Sequence, residues 1–194
     1  MKNIILIKIL ILICSCQNSK NIALKEYSYD WNDGEYIKNY TSLRLKKEKD
    51  ADDYYSFTYF YDTTYKYSSN EFITDHDGYY VTFKKVSGAI GKNYSSLIAI
   101  YGDKRPSDYF SIVDSSNYKI DSVNYKIIKY KREDPPDDGD LELYWNNEFG
   151  LIQSYSVDWG IKMIYGGYDN MKWKIKIDKL NQRILEDKEL LNKN

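Results

Sequence analysis

The chain has 194 residues, among which 28 Lys and Arg nearly balance 29 Asp and Glu, and 22 residues are tyrosine. Because no basic excess is present to neutralise phosphates, the composition argues against nucleic acid as a partner. Cys14 and Cys16 are the only cysteines and His76 is the only histidine, which excludes an internal disulfide framework and a zinc site built from several imidazoles. Neither HExxH nor GxSxG occurs, and we expect no cofactor and no metal.

The N-terminal segment has the layout of a secretory signal. Lys2 supplies a positive charge, residues 4–13 are apolar except for Lys8, and the small residue Ser15 precedes Cys16. The apolar run is half the roughly 20 residues that a membrane-spanning helix needs. A cleaved signal is therefore favoured over a membrane span and over a buried core helix.

The segment 13–16, Ile-Cys-Ser-Cys, resembles the lipobox of bacterial lipoproteins. The resemblance implies that residues 1–15 are removed as a signal peptide and that Cys16 is acylated as the first residue of the mature chain. Since two or more acyl chains give stable attachment, we expect a lipid-anchored protein of the cell envelope. Gln17, rather than Asp, follows the acylated position, which favours the outer membrane by analogy with enterobacterial sorting.

The remaining sequence has no repeat of fixed period and no internal linker, so we expect a lipidated tether at 16–25 and one domain at 26–194. Alternating or apolar runs separated by turn residues predict strands at 43–47, 54–61, 72–74, 79–86, 97–101, 109–113, 125–131, 141–145, 149–157, 161–165 and 172–177. An Asp-Gly pair at 77–78 predicts a hairpin turn, and the segment 134–140, DPPDDGD, predicts a loop.

Beyond residue 177 the period of the apolar residues changes from two to that of a helix. Leu180, Ile184 and Leu191 fall on one side of a helical wheel, which predicts a short helix at 179–191 with Asp178 as its N-cap. The sequence thus predicts a mainly β fold, a single antiparallel, meander-like sheet of about eight to ten strands drawn from these segments, with a short C-terminal helix. Because such a sheet must curl, split or close, a sandwich, a half-barrel and a barrel all remain open.

Aromatic residues supply the candidate ligand-binding positions. Tyr55, Tyr59 and Tyr61 fall on one face of a predicted strand, while Trp145 and Trp159 lie near the acidic loop. Tyrosine and tryptophan combine an apolar ring with a hydrogen-bonding tip, which suits sugars and protein partners. We favour the simpler interpretation that these rings pack in the core or at its rim and that tyrosine is abundant through codon bias and strand propensity.

Three charged features receive simpler interpretations. The acidic residues of 137–142 lack the spacing of a calcium loop, so we expect a solvated loop. His76 lies in the predicted hairpin turn, where an ordinary surface histidine is expected rather than a general base. The row Lys172, Lys174 and Lys176 either meets anionic headgroups or, as we favour, prevents a strand from pairing with other molecules.

Residues 144–152, YWNNEFGLI, resemble a strand-turn-strand segment of uncharacterised β-rich lipoproteins from AT-rich Gram-negative bacteria, which implies a class of envelope protein and no activity. The leading hypothesis is a lipid-anchored envelope protein with a non-catalytic binding or structural role. Its expected partners are membrane lipid, through Cys16, and a protein or glycan of the envelope. The alternatives are an envelope glycan hydrolase that uses carboxylates, and a lipid or lipoprotein carrier with an apolar cavity.

Overall fold

A computed structural model describes residues 20–30, 35–49, 55–61, 80–85, 97–102, 108–135 and 139–192. The described residues form ten strands and two C-terminal helices: β1 (Lys20–Asp30), β2 (Glu35–Lys49), β3 (Tyr55–Tyr61), β4 (Tyr80–Lys85), β5 (Leu97–Tyr101), β6 (Asp108–Ile120), β7 (Val123–Arg132), β8 (Leu141–Asn146), β9 (Gly150–Ser156), β10 (Ile161–Gly166), α1 (Met171–Glu186) and α2 (Lys188–Asn192).

The sheet is a closed antiparallel barrel in which every strand pairs with its neighbour in sequence and β1 pairs with β10. The prediction of a mainly β meander is therefore confirmed, and of the three forms left open the protein adopts the barrel. Closure satisfies the backbone groups that an open sheet would leave at its two edge strands.

The register defines two ends of the barrel. The upper end carries the start of β1, where Lys20 pairs with Lys47, together with the turn between β8 and β9 and the start of α1. The lower end carries the turn between β9 and β10, where Asp30 pairs with Ile161. Residues on opposite ends are therefore separated by the length of the barrel.

Large rings fill the upper half of the barrel. Phe57 and Trp145 face inward from β3 and β8 and meet edge to face, with ring centroids 5.0 Å apart. The backbone of Gly150 has a φ of 85° and lies so close to β3 that an added Cβ would be 2.7 Å from the Phe57 ring and from the Tyr59 hydroxyl. This position consequently admits only glycine.

Helix α1 covers part of the outer face of the barrel and contacts β6, β9 and β10. Its inner face buries three apolar side chains completely: Ile177, Leu180 and Ile184. Gln153, which faces outward from β9, donates from Nε2 to the carbonyl oxygen and to Oδ1 of Asn181 at 3.0 and 3.1 Å. Apolar contact and paired amides thus fill the space between sheet and helix.

The strand predicted at 172–177 is wrong, because these residues form the first turns of α1. The alternation of lysine with apolar residues fits a strand, but Trp173 and Ile177 are also spaced four apart, which places them on one face of a helix. Asn170, rather than Asp178, caps the helix, since its Oδ1 accepts a hydrogen bond from the Trp173 N–H at 3.3 Å. The helix also ends before its predicted boundary, and the last apolar residues belong to α2.

Strand β1 was not predicted, and it begins inside the segment 16–25 that the sequence assigned to a tether. Ile22 and Leu24 occupy inward positions, but the next inward residue is Glu26, which interrupts the apolar alternation. As a result only residues 17–19 separate Cys16 from the first strand.

The predicted strands that fall on β2 to β10 are confirmed in their cores, although β2 and β6 extend well beyond the predicted limits. The predicted strand at 72–74, the hairpin turn with His76, and Cys16 lie outside the described residues. Within the described ranges, no helix combines the length and apolarity needed to cross a membrane.

Candidate functional site at the lower end of the barrel

The structure separates the aromatic residues that were predicted to bind a ligand. Tyr59 and Trp145 lie in the core, and only 1 % of Trp145 is exposed. Tyr55 is exposed at the upper end, whereas Trp159 is 65 % exposed in the turn between β9 and β10 at the lower end. Tyr61 is half-buried at the lower end of β3. The five side chains therefore do not form one surface, and Tyr61 alone faces the polar site inside the lower end.

A buried carboxyl group is the centre of that polar site. Glu26 faces inward from β1, is 7 % exposed, and accepts a hydrogen bond from the Tyr61 hydroxyl at 3.3 Å through Oε2. Tyr165, inward on β10, is its second hydrogen-bond partner. Burial raises the pKa of Glu26, and the two tyrosine hydroxyls oppose this shift only in part.

Tyr165 is held in place by the packed upper half of the barrel. Its ring lies 5.6 Å from that of Tyr59, and the Tyr59 hydroxyl accepts a hydrogen bond from the Leu151 N–H at 2.8 Å. Burial, together with the neighbouring Glu26, raises the pKa of Tyr165, so this hydroxyl stays protonated. The carboxyl group is therefore fixed by partners that are themselves anchored to the core.

A second polar group lies on the opposite wall of the lower end, on β5 to β7. Arg132 donates to Asp108 Oδ1 at 2.6 Å, and the Tyr101 hydroxyl donates to Asp108 Oδ2 at 2.6 Å. Arg132 also donates to the Gly139 carbonyl at 3.3 Å, which ties the wall to the link before β8. These side chains are partly exposed, unlike the rings of the upper half.

The arrangement combines tyrosine hydroxyls, a buried carboxyl group that accepts hydrogen bonds, and an ion pair, all directed into one end of the barrel. The mouth of a barrel with a few converging polar groups is a common ligand site. Sequence analysis missed Glu26, Asp108 and Arg132 as site residues. The sequence offered one signal for Glu26. It follows Ile22 and Leu24 at a spacing of two, so in a strand its carboxylate lies on the same face as these apolar side chains.

A separate cluster of charged residues is buried on the outer face of the barrel, outside the lower-end site. Lys129 and Glu142 form an ion pair of 2.8 Å with both side chains almost fully buried. The Tyr144 hydroxyl donates to Glu142 Oε2 at 3.2 Å, and Lys162 places its ammonium 5.2 Å from the centre of the Tyr155 ring. Glu142, which belonged to the predicted acidic loop, is thus committed to a buried ion pair.

Lys162 gives the stability of the protein a specific pH dependence. Burial is the main cause that lowers the pKa of Lys162 from 10.5 to about 7. The charge of Glu142 opposes this shift, and the charge of Lys129 adds to it. At a pH between about 7 and 10.5, Lys162 is protonated in the unfolded chain but not in the folded protein. Unfolding therefore takes up a proton, and the free energy of unfolding rises with pH. We expect a gain of about 2 kcal/mol from pH 7 to pH 9, measured by urea unfolding across that range.

The variant Lys162→Met should remove this rise, because no proton is then lost on folding. Lys131→Met is the matched control, since Lys131 is a more exposed lysine on β7 that pairs with Asp140 at 2.9 Å. The control should keep the wild-type slope between pH 7 and pH 9. Equal slopes in wild type and Lys162→Met would contradict the assignment.

Among the described residues, no group of three or more histidine, cysteine, aspartate or glutamate side chains is arranged to hold a metal ion. Comparisons of the chain with models of protein families, with curated proteins and with solved structures give no match. The functional conclusion therefore rests on the residues of this chain.

Proposed function

We propose that the protein is a lipid-anchored, non-catalytic binding protein of the bacterial cell envelope, which takes a small hydroxyl-rich ligand into the lower end of its barrel. The anchor is Cys16, and the outer membrane is the proposed location. The observation that carries the binding role is the buried Glu26 carboxyl group with its two tyrosine hydroxyls inside the lower end.

The chemistry of this end favours a sugar unit of an envelope glycan. A protonated carboxyl group both donates and accepts hydrogen bonds, and tyrosine hydroxyls do the same, which matches the hydroxyls of a sugar. Tyr61 and Tyr101 add apolar ring area beside those polar tips. The lower end presents partly exposed inward-facing side chains, namely Tyr61, Tyr101, Asp108 and Arg132, so the ligand would enter there.

One experiment tests both halves of the proposal. The protein is extracted from membranes of its own cells and analysed by native mass spectrometry, with and without soluble fragments released from the envelope glycans of those cells. An intact mass that begins at Cys16 and includes acyl groups supports the anchor. A glycan adduct on the folded protein supports the binding site.

Variants localise the binding. Glu26→Gln and Tyr61→Phe each remove one hydrogen-bonding function and should weaken the adduct by about tenfold. Tyr27→Phe is the control, because Tyr27 lies on β1 next to Glu26 but faces outward towards Gly166. If the wild-type protein formed no adduct, or if all three variants bound the glycan equally strongly, the proposal of a binding site at the lower end would be wrong.

A glycan hydrolase is the second candidate, favoured by the raised pKa of Glu26, since a general acid needs a protonated carboxyl group. Asp108 would be the second carboxylate, but Arg132 and Tyr101 already occupy both of its oxygens. Shortening of the added glycan fragments in the same experiment, abolished in Glu26→Gln, would favour hydrolysis over binding.

A further inference from the structure

The upper end of the barrel differs in charge from the lower end. Around the upper end, the described strand ends and the first turns of α1 carry many lysines: Lys46, Lys47, Lys49, Lys84, Lys85, Lys119, Lys126, Lys172, Lys174, Lys176 and Lys179. The described acids there are fewer: Glu48, Asp121, Glu148, Asp169, Asp178, Glu186 and Asp187, the last two beside the upper part of β6. The described lower end is acidic instead, with Asp108, Glu133, Asp134, Asp140 and Asp158 against Lys131 and Arg132.

The positive charge is concentrated where β4, β7 and α1 meet the upper end. The pKa of Lys85 is lowered by burial and also by the neighbouring charge of Lys126. Several of the nearby acids are already occupied, since Asp178 pairs with Lys174 at 2.6 Å and Asp121 pairs with Lys179 at 2.6 Å. Because the lysines at the upper end outnumber the acids, this surface carries a net positive charge.

Exposed apolar side chains lie among these lysines. Met171 and Ile175 are spaced four apart on the outer face of α1, and Ile175 is 47 % exposed. Val123 is exposed at the tip of the β6–β7 hairpin, beside the Asp121–Lys179 pair that joins this tip to α1. Apolar side chains flanked by lysines on one face are the pattern of surfaces that rest in a membrane interface.

Strand β1 begins at the same end. Lys20 pairs with Lys47 across β1 and β2, and the Lys47 ammonium lies 5.7 Å from the centre of the Trp173 ring in the first turn of α1. Because only residues 17–19 lie between Cys16 and β1, Cys16 can lie no more than about 14 Å from Lys20. An acyl group on Cys16 would hold the upper end close to the lipid surface.

From these observations we propose that the upper end of the barrel docks on anionic lipid headgroups, with Met171, Ile175 and Val123 at the interface and the surrounding lysines against the phosphates. The proposal rests on the proposed lipid anchor. It orients the molecule, so that the lower-end site points away from the membrane and towards soluble or wall-bound ligands.

Lysine footprinting by mass spectrometry tests this surface. The membrane-extracted protein is mixed with vesicles of phosphatidylcholine alone or of phosphatidylcholine with phosphatidylglycerol, and its lysines are labelled with an amine-reactive reagent. Labelling of Lys172 and Lys179 should slow by about fivefold or more only on the anionic vesicles. Lys131, near the lower end, should label equally in both.

Two matched variants control for the contact. Ile175→Glu introduces a negative charge at the proposed interface and should abolish the protection. Trp159→Glu introduces the same charge at a 65 % exposed apolar side chain in the turn between β9 and β10 at the lower end, and should leave the protection unchanged. Both positions are exposed, so neither change disturbs the core.

The outcomes separate this proposal from the anchor. An acylated chain whose Lys172 and Lys179 label equally on both vesicle types would overturn the docking surface and leave the anchor intact. Protection in a chain whose intact mass shows no acyl group would support the surface and refute the anchor. Protection that is as strong in Ile175→Glu would also overturn the proposed contact.

Discussion

Replacing Glu142 by alanine is expected to lower the free energy of unfolding by about 3–5 kcal/mol, because the change leaves Lys129 buried without its carboxylate partner. The ion pair is 2.8 Å long and lies on the outer face of the barrel with almost no access to water. The Tyr144 hydroxyl would lose its acceptor in the same change, and Lys162 would lose the carboxylate that supports its charged form. Urea unfolding at neutral pH measures the loss.

The double variant Lys129→Met with Glu142→Leu is the control for this prediction. It replaces both members of the ion pair by apolar groups of similar size, so Lys129 is not left buried without Glu142, and it should recover most of the stability that Glu142→Ala loses. A Glu142→Ala variant that loses less than about 1 kcal/mol would show that water reaches the cluster.

The second large effect is expected for Trp145→Ala, which should cost about 3–5 kcal/mol by opening a cavity in the packed upper half of the barrel. Trp145 contacts Phe57 edge to face at 5.0 Å and lies 6.1 Å from the Phe83 ring. Both single-residue effects can be read from the midpoint and slope of urea unfolding monitored by circular dichroism.

Trp159→Ala is the matched control, since it removes the same side chain from an exposed turn and should change stability by less than about 0.5 kcal/mol. The comparison also tests the sequence interpretation that grouped these two tryptophans as ligand-binding residues. If Trp145→Ala kept wild-type stability and lost only glycan binding, the core assignment would be wrong and the earlier grouping would stand.

Much of the fold could be predicted because the strands alternate in polarity. The segment 141–145 illustrates this, since its apolar residues face the interior and its polar ones face outward, as β8 shows. The prediction failed where one sequence satisfies two periods. Trp173 and Ile177 fit a strand by alternation and a helix by their spacing of four, and the Asn170 cap with burial against β9 and β10 selects the helix.

The candidate site was much less predictable. Glu26, Tyr61 and Tyr165 come from β1, β3 and β10. Tyr165 meets Glu26 only because the first and last strands pair, whereas Tyr61 reaches Glu26 across β2. Asp108 and Arg132 likewise meet through the pairing of β6 with β7. No spacing in the sequence marks either group, because their contacts depend on sheet register and closure rather than on local chain geometry.

The sequence by itself determined what depends on local chemistry: strand periodicity, the paucity of cysteine and histidine, and the charged, apolar and small residues that precede Cys16. Only the tertiary structure decided whether the sheet closes, which aromatic rings are core, and which charges are buried. The physical reason is that alternation fixes the two faces of each strand, but not the order or register in which strands meet. In this barrel, the pairing of β1 with β10 brings Glu26 to Tyr165 inside the lower end and brings the first half of β1 beside the start of α1.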